Sequence, residues 1–132
     1  MTVLVGYVTS REGDAAFEAG LREAALRADR LVVLNSPRQG APVDASLATQ
    51  EQTRSLGERA SAAGVELELH QTPHTDDLVD SLLDTAEQVG ATLIVIGLRR
   101  RSPVGKLIMG STAQRILLRS DLPVLAVKPD RH

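Results

Sequence analysis

The chain contains no cysteine. That excludes disulfide staples, thiolate nucleophiles and cysteine-ligated zinc, and it fits a reducing compartment such as the cytoplasm. Tryptophan is also missing, and Tyr7 and Phe17 are the only aromatic residues. The interior must therefore be built from Ala, Val, Leu and Ile, and there is no row of aromatic platforms for stacking nucleic-acid bases. An excess of one charge is lacking too: 15 basic residues face 17 acidic ones, for a net −2. Such a balance exerts no global pull toward nucleic acid or anionic lipid. No apolar run approaches the roughly 18 residues of a membrane span. The opening Met1-Thr2-Val3-Leu4-Val5-Gly6-Tyr7 has neither the basic nor the long apolar region of a signal peptide. The expectation is a cytoplasmic protein with no membrane or nucleic-acid partner.

What remains is ordinary globular composition, 42% hydrophobic and 24% charged over 132 residues. That length suits one domain, residues 1–132, with a core of its own. Five short Val-, Ile- and Leu-rich runs read as strands: 2–7, 31–35, 65–70, 92–96 and 123–127. The run 92–96 is almost wholly apolar, as in a strand covered on both faces. Val65-Glu66-Leu67-Glu68-Leu69-His70 alternates, as at an edge with one wet face. Helical patterns fill the gaps. Residues 15–28 are rich in Ala and Leu. Leu78, Val79, Leu82, Leu83, Ala86 and Val89 recur at three- and four-residue steps, with Thr75 or Asp76 as cap and Gly90 as stop. Residues 111–118 carry a similar face, and 44–63 a weaker pattern ended by Gly64. Strand and helix in alternation predict an α/β fold: a single doubly wound five-stranded parallel sheet with helices on both faces. Ligands of such sheets bind beyond the carboxyl ends of the strands, where strand order reverses.

Chemistry concentrates in residues 97–112, after the fourth strand. Gly97, Gly105 and Gly110 permit tight turns and close backbone approach. Gly110-Ser111-Thr112 opens a helix whose free N–H groups and dipole favour an anion. Arg99, Arg100, Arg101 and Lys106 add positive charge in the same loop. Together they describe a phosphate site. A Walker A loop fails twice, at Arg100 and Leu107, and the dinucleotide pattern G-x-G-x-x-G is absent after the first strand.

The spacing resembles the nucleotide-loop signature of universal stress proteins: Gly, two residues, Gly, nine residues, Gly, then Ser or Thr. Gly97 takes the first place and Gly110-Ser111 the last. The likeness continues through Ala113-Gln114-Arg115-Ile116-Leu117 and through residues 121–128. The resemblance implies an adenine nucleotide alpha hydrolase-like fold with strand order 3-2-1-4-5. It implies a homodimer through the last strand, from Pro123 to Val127. It also implies ATP or another adenine nucleotide as ligand, with or without Mg²⁺. Phosphates would lie on Gly97, Arg99, Arg100, Gly110, Ser111, Thr112 and Ala113. Adenine and ribose would lie near Gly6, Tyr7, Val8, Asn35, Ser36 and Ile96. Two positions depart from the family. Arg100 replaces the second glycine, where it could supply a bidentate phosphate contact, and Val8 replaces an aspartate that anchors the nucleotide.

The function implied is a nucleotide-binding regulatory module of the stress response, with ATP hydrolysis slow at most. The alternative is a family member that binds no nucleotide and acts as a dimeric interaction module. Other clusters read as structural. His70 and His74 flank Pro73 and do not share a helical face. Asp76, Asp80 and Asp84 read as the wet face of a helix. No nucleophile, base and acid come together in the sequence, so no catalytic residue is assigned.

Overall fold

The computed structural model describes residues 1–7, 11–35, 50–71, 77–98 and 111–129. In chain order the elements are β1 (Thr2–Tyr7), α1 (Arg11–Arg27), β2 (Arg30–Asn35), α2 (Gln50–Ala62), β3 (Leu67–Gln71), α3 (Leu78–Val89), β4 (Ala91–Gly97), α4 (Ser111–Arg119) and β5 (Val124–Val127). The five strands form one parallel sheet in the order β3-β2-β1-β4-β5. The expected class and strand order are both present. The alternating run is indeed an edge strand, and the apolar run 92–96 lies inside the sheet.

Alternation along the strands divides the core in two. Val3, Val5, Tyr7, Leu31, Val33, Leu93 and Val95 face Ala16, Phe17 and Ala24 of α1 and Leu56 and Ala60 of α2. Leu4, Val32, Leu34, Ile94 and Ile96 face Val79, Leu82 and Ala86 of α3 and Ala113 and Ile116 of α4. With so few aromatics, Phe17 is the largest fully buried side chain. The guanidinium of Arg59 lies over its ring, 4.6 Å from the centroid, and pairs with Glu18. One arginine thereby ties α2 to α1.

Element ends differ from expectation for local reasons. α1 starts at Arg11 rather than 15, because Glu12 and Asp14 suit the positive start of a helix and outweigh Gly13. It stops at Arg27. Ala28 turns left-handed at φ 56°, and the Asp29 amide bonds the Ala24 carbonyl at 2.9 Å. β3 starts at Leu67, not 65, because the Val65 amide still bonds back to Ala60 at 2.9 Å around Gly64 at φ 72°. The cap of α3 is Asp77, whose Oδ1 accepts from the Val79 and Asp80 amides at 2.9 and 3.1 Å. Thr75 and Asp76, expected in that role, lie outside the described residues, as do 44–49 of the expected second helix. Gly90 ends α3 in the left-handed region, as expected.

α1 lies very close to the sheet. A methyl group on Gly20 would overlap Cγ2 of Val5 and lie 3.4 Å from Cδ1 of Leu31. Val5 is fully buried and β-branched, so it cannot swing aside. Gly20→Ala gains up to about 1 kcal/mol of helix propensity, yet the overpacking costs about 1–3 kcal/mol. The urea midpoint of this variant falls with an unchanged slope. A raised midpoint would show that α1 has room above β1.

Candidate functional site

At its carboxyl end the sheet splits. β1 and β4 pair in register as far as Val5–Val95. Beyond that point Gly6 and Tyr7 continue beside Leu34 and Asn35 of β2. Ile96 and Gly97 continue beside Ala126 and Val127 of β5. The Leu98 amide extends this pairing to the Val127 carbonyl at 2.7 Å. Crossovers leave β1 in one direction and return to β4 on its other side, so this fork is the point where strand order reverses.

Both sides of the fork are fixed. Asn35 is fully buried, and its Nδ2 donates to the Tyr7 carbonyl at 3.2 Å, tying β1 to β2. The Tyr7 hydroxyl donates to Oδ1 of Asp14 at 3.3 Å, tying β1 to the first turns of α1. Burial, reinforced by the Asp14 charge and hydrogen bond, pushes the Tyr7 phenol up to about 12, while Arg59 pulls weakly the other way. On the β4 side, a methyl group on Gly97 would run into the Glu12 carbonyl, 2.6 Å from its carbon. The first turn of α1 thus rests against the end of β4, and Gly97 has a packing reason to be glycine. Gly6 does not: a methyl there would meet Ile96 and Leu82 at an ordinary 3.7 Å.

α4 begins on the other face of the fork. Thr112 is half-buried, while Ala113 and Ile116 are buried in the same apolar cluster as Ile96 and Leu82. The side chains of Ile96 and Ala113 are therefore committed to packing, and the backbone is what they offer a ligand. The opening amides of α4 have no partner within the helix, the usual basis for anion capture. Of the other candidate residues, Val8, Ser36, Arg99, Arg100 and Gly110 lie outside the described residues, as does the side chain of Ser111.

One polar arrangement escaped the sequence reading. Nη2 of Arg115 reaches Oδ2 of Asp77 at 3.2 Å, and Nη2 of Arg119 reaches Oδ1 of Asp80 at 2.8 Å. The acidic face of α3 is thus partly an ion-pair seam with α4 rather than only a wet face. Amide hydrogen bonds, led by that from Asp80, hold the Asp77 carboxyl below the usual carboxylate range despite some opposing desolvation, with Arg115 adding to the shift. The signal was present as Arg115 and Arg119, one helical turn apart, but their partners lie 38 and 39 residues away. Among the described residues, no three His, Asp or Glu side chains are grouped to hold a metal. No described helix is long and apolar enough to cross a membrane.

A five-stranded parallel sheet forked at its switch point, with helix starts beside the fork, is a doubly wound α/β arrangement, the kind whose ligands bind in the crevice at that point. Comparison with known proteins gives the family. The universal stress protein family model matches residues 1–128, and the chain belongs to that family. A universal stress protein of Mycolicibacterium smegmatis is 42% identical over 127 residues, covering 96% of this chain and 97% of that protein. A longer one from Mycobacterium bovis is 27% identical over 146 residues, and the chain spans 49% of its length. Among solved structures, the universal stress protein from Archaeoglobus fulgidus superposes with a TM-score of 0.78 at 28% identity, covering 96% of this chain and 97% of that one. A universal stress protein in complex with cAMP superposes with a TM-score of 0.70 at 27% identity, covering 98% of each chain.

Tyr7 is the only tyrosine and there is no tryptophan, so phenolate absorbance reports on this site alone. Its folded value lies above the ordinary one of 10.0, and the linkage sign follows. The stabilisation is complete below pH 10.0 and is lost as pH rises toward about 12. A spectrophotometric titration shows no phenolate near pH 10 while the protein stays folded. Ionisation there would place the hydroxyl in solvent.

Proposed function

We propose that residues 1–132 act as one domain and form an adenine-nucleotide-binding regulatory module of the stress response, working in the cytoplasm. The observation that carries this reading is the fork between β1 and β4, with the start of α4 beside it. The similarity to a universal stress protein in complex with cAMP supports an adenine nucleotide as ligand. Phosphate lies against the opening amides of α4 at Ser111, Thr112 and Ala113 and against the loop bearing Gly97, Arg99, Arg100 and Gly110. Base and ribose lie over Gly6, Tyr7, Val8, Asn35 and Ser36, with Ile96 beneath. When Mg²⁺ accompanies the nucleotide, it neutralises phosphate charge. Asn35 and Tyr7 serve by holding the ends of β1 and β2 in place.

A second reading has its own observation. β5 is the edge of the sheet, and Leu125 on it is 36% exposed, with Leu117 and Leu118 of the adjacent α4 also exposed. An open strand edge beside apolar side chains suits pairing with a second copy, so the module acts as a homodimer through β5. In the form without nucleotide, this surface is the functional one.

Isothermal titration of the purified protein with ATP and Mg²⁺ separates the readings, after a denatured sample has been checked for co-purified nucleotide. Binding in the micromolar range or carried-through nucleotide is the expected result. A clean sample with no heat of binding gives preference to the dimeric interaction module, and sedimentation then reads its assembly.

A further inference from the structure

We propose that Asp77 and Arg115 are positioning residues for the nucleotide site, a clamp that sets the first turn of α4 against the fork; this rests on the nucleotide reading above. α4 has only nine residues, too few to hold a helix in water unaided. Of its described side chains, only Ala113 and Ile116 are buried, and Leu118 is 80% exposed. Apolar packing therefore anchors it along one narrow stripe. Its tilt about that stripe is set by other contacts, and the two ion pairs to α3 provide them.

The pairs are not equivalent. Arg119 and Asp80 join the two helices at the last residue of α4, whereas Arg115, at its middle and one turn nearer the site, reaches the cap at the start of α3. Asp77 is also the cap of α3. Its Oδ1 is already held by two backbone amides, so Arg115 docks on a carboxylate whose rotamer freedom is already spent. Both side chains are more than a third exposed, so the pair adds little to global stability. At the middle of α4, Arg115 also gains little from the helix dipole, which acts at the first and last turns. What the pair supplies is placement: the middle of α4 is held to the fixed first turn of α3. Small displacements of such a site have large effects on what it binds.

The test compares the full-length protein with its Arg115→Gln, Asp77→Asn and Arg119→Gln variants. Asparagine keeps the cap of α3. ATP titrations are expected to weaken about fivefold for Arg115→Gln and for Asp77→Asn, and to stay within about twofold for Arg119→Gln. A charge effect alone gives the opposite sign for Asp77→Asn, because losing a carboxylate favours an anion. Amide exchange at Ile116 in nucleotide-free protein is the second readout, expected to quicken more in Arg115→Gln than in Arg119→Gln. Unchanged or tighter ATP binding in Asp77→Asn, or equal weakening in Arg119→Gln, overturns the proposal. A wild-type protein that binds no ATP removes the nucleotide reading. Exchange then judges the clamp by itself, and equal rates in the two arginine variants overturn it as well.

Discussion

The close seating of α1 on the sheet is the constraint on which the rest depends. Two glycines mark it. Gly20 leaves no side chain between α1 and Val5 of β1, and Gly97 leaves none between the end of β4 and the Glu12 carbonyl. Dense packing of this kind transmits position, since neither contact has room to relax. With α1 held at both points, Asp14 comes within hydrogen-bonding distance of Tyr7, and Tyr7 in turn accepts the Asn35 amide on its carbonyl. On the face covered by α1, the ends of both β1 and β4 are thus fixed by buried contacts.

The other side is built differently. α4 meets the sheet through a few apolar residues and is held to α3 by charge at the surface. One wall is packed throughout, and the other combines a narrow apolar stripe with ion pairs at the surface. The amino ends of the strands carry a polar closure of their own. Arg30 donates to Thr2 and to the Val89 carbonyl, and pairs with Glu68 at 2.7 Å, linking β1, α3 and β3.

Much of this was legible in the sequence. The limits of β1 and α3 follow from apolar runs and three-to-four-residue recurrence, both local signals, and they match the structure. Parallel pairing followed from strands alternating with helices. Features that depend on partners distant in sequence were not legible. No pattern near Asp77 reveals Arg115, and none near Gly97 reveals the carbonyl of Glu12. A glycine required by a neighbouring backbone and one required by a bound phosphate look alike in a motif, so Gly97 read as a turn or ligand glycine and its packing against α1 was not visible. Asp77 displaced Thr75 and Asp76 as the cap because α3 begins at Leu78, and helix starts are set by the chain on either side as much as by the capping residue. Ala28 shows the same limit: an alanine carries no stop signal, yet it ends α1 at φ 56°.

The unfolding free energy of Gly97→Ala in nucleotide-free protein tests the seating of α1 most directly. The account predicts a loss of about 1–3 kcal/mol, because the added methyl group meets backbone that must shift, whether or not a ligand is present. Wild-type stability together with lost ATP binding would contradict it, and would mean that Gly97 leaves room for the ligand rather than for α1.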